Sequence, residues 1–352
     1  MPAQDPKRGY KSMLFDNVYG VDLGTSEVKI YDTKKDTIIK EKNMIAVRNG
    51  DTVFAVGNEA YEIFERTPEN IKVITPMTNG RISDVMMVEA VLHTLLSRLD
   101  SSMGYRPTLY FSVPMDMTEL EKRAYYSIAH RGKLKKCRVF LVEKPVADAL
   151  ALGIPIQKTK GSLIVNIGAQ STEISALADG RVIISRNISL GGKDFNGAVA
   201  AAVRRRNSFL ISTKTAKRLK IALTDLSGQK QEGRRAMGID TSTGLPRDGN
   251  VSCYTVTAAV QGLLEQIAVE IRKFLERTPP QVRSSIMKEG IYFTGGSTKL
   301  SGLDSFFAER LGCQIQISRY YDLCTICGLK ELITHPVLHR WAFVPKRRRG
   351  ER

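Results

Sequence analysis

Val21-Asp22-Leu23-Gly24-Thr25 and Val165-Asn166-Ile167-Gly168 stand 144 positions apart, and each is a short apolar run that stops at a glycine. Val18 to Leu23 reads as a buried strand, with Glu27 to Tyr31 as its return. Ser162 to Ile167 and Thr172 to Leu177 repeat that strand–turn–strand. An echo at this interval points to a duplicated α/β domain rather than to a solenoid, whose period is 20–50 residues. A third apolar strand ends in Gly295-Gly296-Ser297-Thr298. Glycine lets backbone N–H groups come close to a phosphate. One such turn could simply close a hairpin. Three of them at strand ends, two in duplicated units, indicate a shared phosphate-binding origin.

The chain has 352 residues, beyond the size at which one hydrophobic core usually stops growing, so two lobes are expected. Apolar residues make up 42% and charged residues 25%, which excludes a mainly disordered chain, a collagen or a disulfide scaffold. No apolar run reaches the roughly 18–20 residues that cross a bilayer, and residues 1–20 lack the apolar segment of a secretory signal. The expectation is a cytoplasmic protein whose five cysteines are reduced thiols. The net charge of +17 is concentrated. Residues 200–235 hold ten Lys/Arg against two acids, and residues 335–352 hold six against one, so 13 of the excess charges fall in two stretches. Such stretches suit a polyanionic partner, and a plain solvated basic surface is the alternative.

Strand and helix signals alternate along both halves. Val53 to Phe64 reads as a strand running into a short helix. In Asp84 to Leu99, Val88, Val91, Leu92, Leu95, Leu96 and Leu99 recur at helical spacing behind a Ser83 or Asp84 cap. Thr108 to Val113 is a strand stopped by Pro114. Glu119 to Arg131 is helical. Arg138 to Val142 is a strand, and Pro145 marks the helix start after it. Residues 204–250 read as a basic subdomain containing a loop. Thr257 to Leu275 is an amphipathic helix, residues 301–311 are helical, and periodicity is lost from His335, which reads as a flexible tail.

The motifs add a specific resemblance. Val21-Asp22-Leu23-Gly24-Thr25, Arg66-Thr67-Pro68-Glu69-Asn70-Ile71, Pro76-Met77-Thr78-Asn79-Gly80-Arg81, Val142-Glu143-Lys144-Pro145, Thr243-Gly244-Leu245-Pro246, Arg277-Thr278-Pro279-Pro280 and Phe293-Thr294-Gly295-Gly296 are similar to the bacterial actin homologue family MreB, within the actin, Hsp70 and sugar-kinase superfamily. The similarity covers about residues 18–332. It implies an α/β, actin-like fold with two duplicated α/β domains around a nucleotide cleft, each carrying a small subdomain. The expected layout is an N-terminal extension over 1–17 and domain I over 18–143, with its small subdomain at about 33–66. Domain II follows over 144–334, with its small subdomain at about 186–250, and a basic tail over 335–352. The resemblance also implies ATP and Mg²⁺, and filaments made with itself or with a standard MreB. It places those filaments at the inner face of the cytoplasmic membrane, working with the cell-wall synthesis machinery on cell shape.

Carried over position by position, Asp22 would organise Mg²⁺ through water, while Gly24, Thr25 and Ser26 would meet the phosphates. Glu27 stands near those phosphates and repels them unless it is paired. The second turn is altered. Where the family has Asp-x-Gly-Gly-Gly-Thr-Thr, this chain has Asn166-Ile167-Gly168-Ala169-Gln170-Ser171-Thr172. The family's Glu-x-x-Lys on the adenosine side appears as Lys217-Arg218-Leu219-Lys220, and Ser297, followed by Thr298, replaces the third glycine after Gly295 and Gly296. The candidate catalytic positions are Lys144, which replaces the glutamate that orients the attacking water, and Glu143 beside it. A lysine ammonium has only donors and cannot accept a hydrogen bond from water. Loss of such a group costs about 10²–10⁴ in rate. The expectation is a divergent scaffold that binds ATP weakly or retains it, forms or joins membrane-associated filaments, and hydrolyses ATP very slowly or not at all. A non-polymerising pseudo-ATPase adaptor of a cell-envelope complex is the alternative.

Two further patterns compete for a role. Cys324, Cys327, His335 and His339 spell a zinc-like spacing, against which stands the packing of the two cysteines at a helix start. In the tail, Trp341 and Phe343 precede Lys346-Arg347-Arg348-Arg349, a composition suited to an anionic membrane surface. The N-terminal Met13, Leu14 and Phe15 could add apolar contact there. Nucleic acid fits the same composition and is the less favoured partner.

Overall fold

The computed structural model describes residues 17–50, 52–100, 106–130 and 134–345. The chain divides into two compact units, one formed by residues 1–153 with 325–352 and the other by residues 154–324.

The first unit is built on a six-stranded sheet. Val18–Leu23 is buried along its whole length, as a strand covered on both faces must be. It pairs antiparallel with Glu27–Asp32, which pairs antiparallel with Thr37–Lys42. On its other side it pairs parallel with Thr108–Val113, and that strand pairs parallel with Arg138–Glu143. The second unit repeats this plan. Ser162–Ile167 pairs antiparallel with Thr172–Ala178 and through it with Arg181–Ile188. Its other edge pairs parallel with Ile291–Thr294, and Ile315–Ile317 follows in parallel. Five strands thus share one order and one set of directions in both units, so the motif echo is a duplicated topology.

Helices cover these sheets by their apolar stripes. Val85–Leu99 starts at Asp84, whose side chain accepts a hydrogen bond from the Met87 N–H. It buries Val88, Val91, Leu92, Leu95 and Leu96 against a core that includes Tyr19, Val21, Phe111 and Leu141. Each such side chain contributes about 1.5–3 kcal/mol. In the second unit Cys253–Arg277 buries Val256, Val260, Leu264, Ile267, Ile271 and Phe274 beside Val165, Ile174 and Phe293. A small antiparallel sheet of Ile45–Arg48, Thr52–Val56 and Ile71–Ile74 belongs to the first unit.

Two segments differ from the sequence reading. The basic stretch within 204–250 is ordered as the helices Gly192–Asn207 and Thr213–Leu223 and the hairpin Gly233–Asp240 with Pro246–Ser252. Its strands are rich in Gly and Arg, so they lack the β-branched alternation that marks a strand. The region after His335 is not a structureless tail over its described part. Pro336–Trp341 forms a 3₁₀ turn, and Ala342–Phe343 pairs with Leu141 and Val142 at the edge of the first sheet. Phe343 packs on the first core, with the Lys122 amine 5.6 Å from its ring centroid. Two paired residues are too few to generate a period. Lys346, Arg347, Arg348 and Arg349, like Met13, Leu14 and Phe15, lie outside the described residues.

The Cys324–Thr334 helix closes on the Lys144–Ala151 helix through Gly328, where a Cβ would stand 1.7 Å from the Ala147 carbonyl oxygen. Gly328→Ala is expected to cost about 2 kcal/mol or more, because backbone must move. Gly262→Ala, in a helix with nothing within 4 Å of the added methyl, should gain about 0.5–1 kcal/mol. Urea midpoints of the two variants against wild type check the contrast.

Candidate functional site

The first glycine turn closes by a hydrogen bond from the Gly24 N–H to the Glu27 carbonyl, 3.0 Å. The second closes in the same way, from the Gly168 N–H to the Ser171 carbonyl, 2.9 Å. Both turns project from the ends of strands whose cores are packed, which fixes them in place.

In the first unit the turn is supported on three sides. The Asn43 amide donates to the Gly24 carbonyl, 2.8 Å, and the Asn43 N–H donates to the Ser26 carbonyl. The Thr25 hydroxyl accepts from the Gly80 N–H, 2.8 Å. Asp22 is 3% exposed. Its Oδ1 accepts from the Ser112 hydroxyl at 2.8 Å, and its Oδ2 is 3.3 Å from the Lys29 amine. Burial alone would raise its pKa. Lys29, Lys144 and the Ser112 hydrogen bond outweigh burial and hold the carboxyl below its ordinary range. Glu27 is paired across the strands with Lys42, and the Lys40 amine lies 4.0 Å away, so its charge is cancelled locally. Lys144 is half-buried and opens the Lys144–Ala151 helix, with Pro145 next to it and Glu143 as the preceding cap. Burial raises the Glu143 carboxyl above its usual range, against the pull of Lys122.

In the second unit the structure gathers more than the motif named. The Gly168 carbonyl accepts from the Gly192 N–H at 2.9 Å and from the Ser297 hydroxyl at 3.4 Å, while Ala169 accepts from the Lys193 N–H. A Cβ on Gly191 would stand 2.9 Å from Ala169, Gln170 and Gly168 backbone atoms. Gly295, at φ +95°, would set a Cβ 2.4 Å from the Ile167 carbonyl and 2.9 Å from the Asn166 amide oxygen. Only glycine fits there. The Thr298 hydroxyl donates to the Gly295 carbonyl, and Gly296 is exposed. Lys220 is buried and donates to the Gly192 carbonyl at 3.0 Å. Lys217 is half-buried one helical turn earlier. Arg218 is exposed and bonds Thr215, so it stands apart from this group.

Lys29, Ser112 and Asn43 in the first unit, and Gly191 with Gly192 in the second, were not singled out by motif; Gly80 stood within the Pro76–Arg81 motif but was given no role at the turn. Lys29 had a signal, because a two-stranded register that closes at Gly24 and Glu27 must oppose residue 22 with residue 29. Gly191-Gly192 ahead of a helix was legible as well. Ser112 comes from a distant strand and left none. Three of the four residues of the zinc-like spacing are engaged elsewhere. Cys324 is buried, His335 Nδ1 lies 3.0 Å from the Glu331 carbonyl, and His339 lies against Tyr110. Among the described residues no group of three or more His, Cys, Asp or Glu could hold a metal, and no helix is long and apolar enough to cross a membrane.

A duplicated five-strand plan with a glycine turn at the end of the same strand in each unit defines an actin-like protein. Solved structures agree. MreB5 of Spiroplasma citri bound to ADP is 25% identical, with a TM-score of 0.86 over 92% of this chain and 98% of that one. A MamK double helical filament subunit has a TM-score of 0.76 at 17% identity. The MreB/Mbl protein model matches residues 16–339, and the chain belongs to that family. Cell shape-determining protein Mbl of Bacillus cereus is 32% identical over 318 residues, covering 90% of this chain and 95% of that protein. Cell shape-determining protein MreB of Escherichia coli is 30% identical over 323 residues, covering 90% and 92%.

Burial pushes the Lys220 amine down from 10.5 to about 8, with Lys217 adding repulsion. Between those two values the native state binds fewer protons than the unfolded chain, so this residue makes stability rise with pH. Lys220→Met removes that slope. The wild-type stability relative to the variant should improve by on the order of 2–3 kcal/mol between neutral pH and about pH 10, read from urea unfolding at each pH.

Proposed function

We propose that this chain is a divergent, MreB-like cytoskeletal protein that retains adenine nucleotide, hydrolyses it very slowly, and shapes the cell as a scaffold. The glycine turn of each unit is read as a phosphate-contacting element. Asp22, Gly24, Thr25 and Ser26 serve in the first, with Glu27 silenced by Lys42. Gly168, Ala169, Gln170, Ser171, Gly295, Gly296, Ser297 and Thr298 serve in the second. Lys217 and Lys220 lie on the adenosine side, and Arg218 drops to a surface role. The MreB5 relative is solved with ADP and with AMPPNP, which supports a nucleotide here. Filament formation, with itself or with an ordinary MreB, is supported by the MamK filament. Attachment to the anionic inner face of the membrane, beside the wall-synthesis machinery, rests on the basic tail. Phe343 contributes less than its sequence position suggests, because it is spent on packing.

One observation carries slow hydrolysis. Lys144 occupies the first helical position after Glu143, and its charge reaches Asp22. The position that would orient water therefore offers only donors. Glu143 is the cap itself and points along a different direction from its neighbour.

Phosphate release from the full chain is expected at no more than about 1% of that of an ordinary MreB assayed alongside it. Lys144→Glu with Asn166→Asp should raise it at least about tenfold. Wild-type turnover equal to ordinary MreB would end this reading. In ultracentrifugation the chain should sediment with ATP, alone or mixed with ordinary MreB. A protein that stays in the supernatant in both would be the adaptor instead.

A further inference from the structure

The basic stretch of the second unit has a fold but no part in nucleotide binding. The Gly192–Asn207 helix ends in Arg204, Arg205 and Arg206, next to a small sheet of Phe209–Leu210, Gly233–Asp240 and Pro246–Ser252. One face of that sheet is spent on packing. Phe209 and Ala236 are buried, and a Cβ on Gly238 or Gly249 would stand 2.7 or 2.9 Å from the Phe209 ring. Side chains alternate along a strand, so the register puts Leu210, Met237, Ile239 and Pro246 on the opposite face. Met237 is 73% exposed and Ile239 50%, and Leu245, in the turn between the two long strands, is 64% exposed. A single apolar side chain in water is ordinary, whereas a cluster on one sheet face marks a contact surface.

Arginines border this face. Arg235 pairs with Asp248, and Arg247 with Asp240, so their charges are answered. Arg204 and Arg205 are exposed, and neither side chain has an ion-pair partner among the described residues. With Ala201 and Thr241 they line an open cleft of about 400 Å³. The Thr241 hydroxyl donates to the Ser208 carbonyl at 3.0 Å, and Leu210 pairs with Ile239 two positions before Thr241. The cleft therefore opens at the sheet edge that carries the apolar cluster. The negative end of the helix accounts for arginines at its last turn. It does not account for aliphatic side chains left in water beside them.

We propose that this subdomain docks on an anionic lipid bilayer: the cleft takes a lipid phosphate between Arg204 and Arg205, and Leu210, Met237, Ile239 and Leu245 enter the boundary of headgroups and acyl chains. Guanidinium forks suit phosphate oxygens, and apolar side chains next to cations suit a surface that is anionic outside and apolar within. A second copy of this chain, at a net charge of +17, complements the arginines poorly. A nucleic acid would look for aromatic rings on which to stack, and this sheet face has none. The inference goes beyond the tail-based attachment proposed above, because it lies in the other unit and stands without the tail.

Flotation of the full chain with vesicles of phosphatidylglycerol and phosphatidylcholine tests this, beside vesicles of phosphatidylcholine alone. The wild type should float with the anionic vesicles only. Arg204→Gln with Arg205→Gln should weaken that binding by about tenfold or more. Met237→Ser with Ile239→Ser should weaken it by at least about threefold and make the remainder more sensitive to salt. All four side chains are exposed, so circular dichroism should be unchanged. Glutamine at Lys346, Arg347, Arg348 and Arg349 together should leave binding that the Arg204 and Arg205 changes then abolish. Binding lost with the tail changes but indifferent to both subdomain variants overturns the inference and leaves tail attachment standing. A wild type that floats with neither vesicle overturns both. Loss of lipid-free sedimentation with ATP in the Met237 and Ile239 variant makes the face a contact between copies and overturns the inference. A wild type that binds duplex DNA through Arg204 and Arg205 but not the vesicles does so too.

Discussion

An amine buried against a carboxylate beneath a glycine turn governs the chemistry of the first unit. Lys29 and Asp22 meet because the turn closes between Gly24 and Glu27, and a closed antiparallel pair leaves no freedom in which residues face each other. Neither charge tolerates loss of the other, since an isolated ion at this depth is far more costly than a pair. The pair therefore locks register and charge together. Whatever binds at the turn meets a carboxylate that is already answered from inside the protein.

The duplicated unit shows how far the same backbone can diverge. Asn166 and Glu173 occupy the positions that Asp22 and Lys29 occupy in the first unit. Backbone closure is preserved in both, because it needs only a glycine and a hydrogen bond. Side-chain charge is not preserved, because the sheet does not depend on it. The second turn is instead held by backbone approach. Gly191 and Gly192 bring one chain segment against Gly168 and Ala169, Gly295 brings a second against Asn166 and Ile167, and the Ser297 hydroxyl donates to the Gly168 carbonyl. One unit thus invests in fixed charges and the other in close-packed glycine.

Much of this was legible in sequence. The buried strands are continuous apolar runs, the Val85–Leu99 and Cys253–Arg277 helices repeat at helical spacing, and the turns end in glycine. Three things were not. The hairpin of Gly233–Asp240 with Pro246–Ser252 hides behind arginine and glycine. The strand Ala342–Phe343 is too short for any period and forms only because Arg138–Glu143 offers an open edge. Ser112 reaches Asp22 across 90 positions of sequence, and no local pattern encodes a contact that only the parallel pairing of two strands creates. Local chemistry reads well from sequence, and chemistry assembled across a sheet does not.

Placement of Lys144 follows the same logic from the other side. Pro145 starts the helix, since its ring suits the first turn and it needs no hydrogen bond there. Gly328 then seats the Cys324–Thr334 helix against Ala147 with no room for a methyl group, and the Thr325 hydroxyl donates to the buried Asp148 at 2.6 Å. The Lys144–Ala151 helix is thus clamped along its length, and residue 144 is delivered to one position whatever side chain it carries. A lysine there adds a positive charge that favours the ionised form of Asp22, while the helix that carries it keeps its packing.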